Sequence, residues 1–213
     1  STFQTLDAVH AAKIDSLFQD YARDDAPGFA VGVVQDGVLR YAKGFGIANL
    51  DYGIPITSST VFNLASLSKQ FTAACIALLI LDGEVSLEEP VRAYLPDFPD
   101  YATHVKVKNL VNMTSGNHEY YQQERPGGRS WYTDYFTVDD AIAASLDSQT
   151  LQFEPGTEWA YSNVNYMLLT KIVEAVSGQG FAHFARERLF EPLGMSATLV
   201  HDDVYTVIPE RAI

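Results

Sequence analysis

Basic residues are scarce in this chain of 213 residues: 14 lysines and arginines face 27 acids, a formal net charge of −13. No basic face is available to displace counterions from a phosphate backbone, so nucleic acid is not expected as a partner. An acidic surface of this kind reads as solubility rather than as a steering field. Cysteine is almost absent. With Cys75 alone, no intramolecular disulfide can form. Set among Ala73, Ala74, Ile76 and Ala77, it reads as a small core hydrophobe rather than a reactive thiol. Long apolar runs are missing too: the strongest, Phe71 to Leu81, is too short to span a bilayer. The five histidines (His10, His104, His118, His183 and His201) are scattered. The nearest approaches to a ligand set, His118-Glu119 and His201-Asp202-Asp203, read as loop polar groups, and no metal or other cofactor is expected. The G-x-S-x-G turn of α/β-hydrolases is also lacking, since "MTSGN" around Ser115 does not match it.

What remains is an ordinary globular balance, 47% hydrophobic and 19% charged, long enough for one core or for a domain with a subdomain. "TLDAVHAAKIDSLFQDYARD" repeats apolar residues (Leu6, Val9, Ile14, Leu17, Phe18, Tyr21) at helical spacing. Asp36-Gly37 between two β-prone runs predicts a hairpin with strands Phe29–Gln35 and Val38–Phe45. "DYGIPITSST" reads as loop. The apolar helix that follows should end near Asp82-Gly83. From Ser86 to about Gly194 the pattern is mostly helical. "VKVKNLVNMTSG" should stop at Gly116, "TVDDAIAASLDS" should be capped by Thr137, "SNVNYMLLTKIVEAVSG" should close at Gly178, and "GFAHFARERLFEPLGM" gives one more helix and a turn. "VYTVI" (Val204–Ile208) is expected as a short strand. A lone hairpin cannot cover several apolar helices. The chain is therefore expected to be part of a larger fold, against the alternative of a small, mostly helical protein. Its first residue is Ser rather than Met, which leaves the compartment open.

One lysine stands at the mouth of the apolar helix, in "NLASLSKQFTAACIALLILDGEV". Residues three apart on a helix share a face, so Ser66 and Lys69 point the same way. A serine at a helix N-terminus sits where backbone N–H groups favour negative charge. A lysine in a dry, apolar setting gives up its proton more readily. The two form a nucleophile and base for attack on a carbonyl. With 14 serines and 6 lysines, Ser-x-x-Lys arises by chance about 0.4 times in such a chain, and a lysine snorkelling to solvent would look the same. "GTEWAYSNVNYMLL" adds Tyr161 and Asn163 where a loop enters a helix. A tyrosine can relay a proton to a leaving group, and an amide can hold a substrate carbonyl. A core tyrosine beside an asparagine cap is the alternative reading.

Taken together, "VGVVQDGVLRYAKGFGIANL", "FNLASLSKQFTA", "LVNMTSG", "FEPGTEWAYSNVNYMLL" and "LFEPLGMSATLV" resemble the serine β-lactamase and penicillin-binding protein superfamily. The resemblance is to its branch of class C β-lactamases, DD-peptidases and family VIII esterases. It implies an α/β fold whose antiparallel sheet is flanked by helices, with an inserted all-helical subdomain. Residues 1–85 would be the N-terminal part of the α/β domain, 86–194 the mainly helical subdomain, and 195–213 the start of the return to the α/β domain. It further implies Ser66 as the acyl-accepting nucleophile, Lys69 as its base, Tyr161 as a second proton-transfer residue and Asn163 as a substrate-site residue. A periplasmic or secreted location follows from the same resemblance. The family's third motif, Lys-Thr-Gly or His-x-Gly, is not found after Tyr161, so the sheet and the oxyanion hole are expected to be completed by a C-terminal segment or a second chain. Losing one oxyanion donor typically costs about 10²–10³ in rate.

Two functions of different class follow. One is a serine hydrolase acting on an ester, a D-alanyl peptide or a β-lactam, with a small-molecule or peptide substrate and no membrane span. The other is a non-catalytic relative that binds a ligand or partner. Tyr120 and Tyr121 either border the substrate cleft or pack the subdomain, and the loop "EYYQQERPGGRSWYTDYF" is expected to bear on substrate choice.

Overall fold

The computed structural model describes residues 6–124 and 130–213; the part of the expected specificity loop at 125–129 lies outside the described residues. Contacts divide the chain into two units, one reaching Ala65 and taking in Asp203–Ile213, the other spanning Ser66–Asp202. Secondary structure is mixed, with two small antiparallel sheets in the first unit and helices dominating the second.

In the first unit, Asp7 opens helix α1 (Ala8–Phe18) by accepting the Val9 and His10 N–H groups on its carboxylate. Strands β1 (Phe29–Gln35) and β2 (Val38–Phe45) form the hairpin, with the boundaries that the spacing predicts. Asp36 and Gly37 both take left-handed φ, 52° and 73°, the two-residue turn whose twist matches the strands. Only the end of α1 packs on this hairpin, and Val9 and Leu17 of its expected apolar face stay exposed. Phe18 stacks on Phe45 with ring centroids 5.4 Å apart, and Asp15 accepts from the Tyr41 hydroxyl at 2.6 Å and from Lys43 at 2.8 Å. Gly44 is required where β2 crosses the next segment, because a Cβ there would lie 1.9 Å from the Ile56 carbonyl oxygen.

Two expectations fail in this unit. "DYGIPITSST" is not all loop: β4 (Ile54–Pro55) pairs antiparallel with β3 (Ile47–Asn49), the turn between them held by the Asn49 side chain on the Tyr52 N–H. "VYTVI" is not a strand, and Val204, Tyr205 and Val207 are exposed. Pairing comes later, where Arg211 bridges Val61 in parallel and the Val61 N–H donates to Glu210 O at 3.0 Å. A β-prone composition makes a strand only where an edge is there to receive it.

The second unit is built on helix α2 (Lys69–Leu81), ended by left-handed Gly83, and helix α5 (Asn163–Ser177), ended by left-handed Gly178. Cys75, Ile76 and Leu79 of α2 share one buried cluster with Leu168, Leu169, Ile172 and Val173 of α5. Burial pushes the Cys75 thiol up to about 11, as a core role requires. Helix α3 (Val107–Val111) and helix α4 (Val138–Leu146) flank this pair. Thr137 caps α4 in a reciprocal box with Asp140. Helix α6 (Phe181–Ala185) runs on as a π-helical turn, Arg186–Phe190. Helix α3 stops well before Gly116, the expected end, because Met113 already takes a left-handed φ of 59°.

Candidate active site

Ala65 has a left-handed φ of 45°, and its N–H is held by Asn63 Oδ1 at 2.8 Å. Such a conformation in a residue with a Cβ costs on the order of 1–3 kcal/mol and marks a position worth inspecting. The chain then makes a tight 3₁₀ turn, Ala65–Ser68, and enters α2 at Lys69. Ser66 therefore lies in this turn rather than in the helix itself. Residues three apart eclipse in a 3₁₀ turn, and Lys69 Nζ donates to Ser66 Oγ at 3.2 Å. The dry setting expected for the lysine is only partly met. The buried positions of α2 begin at Thr72, one turn further in, so Lys69 is half-buried and Ser66 exposed.

The loop before α5 brings the other two residues to the same point. The Tyr161 hydroxyl is 2.6 Å from Ser66 Oγ and donates to Asn163 Oδ1 at 3.2 Å. Asn163 Oδ1 also accepts from Lys69 Nζ at 2.7 Å. Lys69 lies over two aromatic faces, 4.8 Å from the Tyr161 ring centre and 5.7 Å from that of Tyr166. Ser66, Lys69, Tyr161 and Asn163 thus form one hydrogen-bonded group, with Ser66 and Tyr161 95 positions apart in the sequence. Tyr161 is 40% exposed and Asn163 is the first helical residue, its side chain turned to Lys69. A core tyrosine with an asparagine cap does not describe them.

Burial alone would push the Tyr161 phenol up. The hydrogen bonds from Lys69 and Ser66 and the Lys69 charge outweigh it, against an opposing push from Glu119, and hold the phenol below its usual 10.0.

The start of α5 is buttressed by the "NMTSGN" turn. Ser115 donates to Asn165 Oδ1 at 2.7 Å, Asn117 Nδ2 donates to the same oxygen at 3.0 Å, and the Met113 carbonyl accepts the Ala160 N–H at 3.0 Å. Ser115 is buried and so engaged, which gives this turn a structural task. Two residues near the group escaped the sequence reading of the site. Tyr166 was legible in principle, since it follows Asn163 by three positions on a helix. Glu119 was not. It stands beside His118 in a loop, like any solvated acid, yet it is 2% exposed, accepts the Asn163 N–H on Oε2 and accepts the Tyr120 N–H on Oε1 at 3.2 Å. Burial pushes its carboxyl above the usual range, against the pull of those N–H groups, the Asn163 side chain and the Lys69 charge. Among the described residues no three His, Cys, Asp or Glu are grouped to hold a metal ion, and no helix is long and apolar enough to cross a membrane.

The fold is that of β-lactamase and transpeptidase-like proteins. The structure of the octameric penicillin-binding protein homologue from Pyrococcus abyssi superposes with a TM-score of 0.78 at 28% identity, covering 98% of this chain and 48% of that one. The D-amino acid amidase from Ochrobactrum anthropi SV3, complexed with D-phenylalanine, gives a TM-score of 0.78 at 27% identity, covering 94% of this chain and 55% of that one. Residues 14–207 match the Beta-lactamase family, and the chain belongs to it. Penicillin-binding protein 4* of Bacillus subtilis (strain 168) is 33% identical over 200 residues, 93% of this chain and 43% of that protein. A D-aminopeptidase of Gluconobacter oxydans (strain 621H) is 32% identical over 179 residues, 84% of this chain and 33% of that protein. The chain spans less than half the length of both relatives.

Proposed function

We propose that this chain carries the nucleophile and proton-transfer groups of a serine hydrolase that works through an acyl-enzyme. One observation carries the reading: Ser66 Oγ lies within hydrogen-bond reach of both Lys69 Nζ and the Tyr161 hydroxyl, at 3.2 and 2.6 Å. Neutral Lys69 takes the Ser66 proton as Oγ attacks the substrate carbonyl carbon, the bond to the leaving group breaks as Tyr161 gives it a proton, and the proton on Lys69 then passes to the Tyr161 phenolate. Water then releases the acyl group from Ser66. Asn163 keeps Lys69 in line through Oδ1 and borders the carbonyl through its amide. Carbonyl attack of this kind serves esters, peptides and β-lactams alike. Relatives named D-aminopeptidase and a fold neighbour complexed with D-phenylalanine favour an amide or peptide with a D-configured residue on the acyl side.

The opposing reading, a non-catalytic ligand- or partner-binding relative, draws on the exposure of Ser66 and the half-buried state of Lys69, which leave the pair open to water. A panel of D- and L-phenylalanine p-nitroanilide, a p-nitrophenyl ester and a chromogenic cephalosporin separates the two. We expect the D-amide to be cleaved with kcat/KM at least about tenfold above the L-amide and the cephalosporin, a difference of about 1.4 kcal/mol in transition-state binding. Folded protein that turns over none of the four would support the binding module instead.

A further inference from the structure

We propose that Glu119 is a positioning residue of this site: its buried carboxylate, fastened to the first N–H of α5, fixes Asn163 and so aims Lys69 Nζ at Ser66. The inference rests on the hydrolase reading above for its catalytic consequence, but not for its geometry.

The local structure gives α5 a cheaper way to satisfy its first N–H groups. Ser162 occupies the cap position, and serine is among the residues best suited to cap a helix. Yet its side chain makes no capping bond, and its Oγ is buried without a hydrogen-bond partner. The Asn163 N–H goes instead to Glu119, 44 positions away in the sequence. Burying a carboxylate is far more costly than burying a hydroxyl, so a cap alone does not account for it. What the glutamate adds is a tie between a distant loop and Asn163, the residue whose Oδ1 holds Lys69 Nζ.

The two oxygens divide the work. Oε2 takes the Asn163 N–H and Oε1 the Tyr120 N–H, so each oxygen holds one backbone N–H. With its backbone pinned, Asn163 presents Oδ1 to Lys69 at 2.7 Å and to the Tyr161 hydroxyl at 3.2 Å. The chain of contact runs from Glu119 through Asn163 to Lys69 and Ser66, and Glu119 itself touches neither the nucleophile nor any reacting atom. The charged and titratable groups facing it are Lys69 from α2, Tyr161 from the loop before α5, and Tyr120 beside it. Its charge opposes ionisation of the Tyr161 phenol, and this gives a signal that a purely structural cap would not.

The test compares the wild-type protein with Glu119→Gln and Glu119→Asp. Tyrosine labelled with ¹³C at Cζ reports the Tyr161 titration by NMR, assigned with Tyr161→Phe, and Ser66 acylation by a chromogenic ester is timed on the same samples. In Glu119→Gln the phenol should titrate lower than in the wild type, because an opposing negative charge is gone. Acylation should slow by about 10- to 100-fold at saturating probe, with little change in apparent affinity, as expected for a small misplacement of reacting groups. Glu119→Asp should return the phenol to its wild-type titration while leaving the rate partly reduced, its shorter stem keeping the charge but not the reach. An unshifted phenol in Glu119→Gln overturns the proposal, whatever happens to the rate. So does wild-type acylation in that variant. If Ser66 is never acylated in the wild type, the hydrolase reading falls, and the phenol titration alone decides whether Glu119 sets the charge of this group.

Discussion

Replacing Lys69 with alanine should slow acylation of Ser66 at pH 7 by about 10⁴-fold, the upper end of what a positioned general base contributes. The expectation follows from contacts that no other described side chain duplicates. Lys69 is the amine whose Nζ reaches Ser66 Oγ, at 3.2 Å, and Asn163 Oδ1, at 2.7 Å, fixes where that Nζ points. Alanine removes both, and leaves Ser66 with the Tyr161 hydroxyl. Substrate affinity should change little, since a proton acceptor acts in the transition state rather than on the bound ground state. Folding should also be little affected, because Lys69 is half-buried on the first turn of α2 and makes no contribution to the buried cluster. Lys69→Arg sharpens the point. A guanidinium keeps the positive charge but cannot give up its proton, so this variant should stay within about tenfold of Lys69→Ala. Stopped-flow acylation with a chromogenic ester measures both. Recovery of most of the wild-type rate by arginine would make Lys69 an electrostatic anchor and move the base role to Tyr161.

Tyr161→Phe should cost about 10²–10³-fold in kcat while leaving the ring on which Lys69 rests. The pH profile tells which way the proton moves. Hydrogen bonds and charge from Lys69, with Ser66, hold the phenol below 10.0 despite burial. If Tyr161 delivers the leaving-group proton, only its protonated form works, and kcat falls as pH rises through that lowered value. If it serves as base, only the phenolate works, and kcat climbs over the same window. We expect the falling limb, and expect it to vanish in Tyr161→Phe. A limb that survives the substitution unmoved would assign it to another group and remove Tyr161 from the proton path.

Much of this arrangement was readable from local signals. Asp36-Gly37 set the ends of the hairpin strands, because a two-residue turn with two left-handed positions fixes which residues pair beside it, although the register shifts further along between Val33 and Val34. Thr137, Gly83 and Gly178 marked helix ends for reasons confined to a few neighbouring residues. Ser66, Lys69, Tyr161 and Asn163 were each visible as short motifs at the starts of helices. What no local pattern carried was their meeting, which depends on α2 and α5 packing through Cys75, Ile76, Leu168 and Ile172. Glu119 was illegible for the same reason: its burial and its partner are set by a helix 44 positions away. "VYTVI" misled in the opposite direction. Its composition favours a strand, but the edge at Val61 is taken by Arg211 instead. Ala65 shows a further limit, since nothing in its side chain advertises a left-handed φ of 45°.

The reading of the site stands or falls on where an acyl or phosphonyl group lands. Folded protein incubated with a fluorescent penicillin and, separately, with a fluorophosphonate, then digested and mapped by tandem mass spectrometry, answers this. A single adduct on Ser66, lost in Ser66→Ala and strongly slowed in Lys69→Ala, is the predicted result. An adduct on any other residue, or none at all on folded protein, would contradict it.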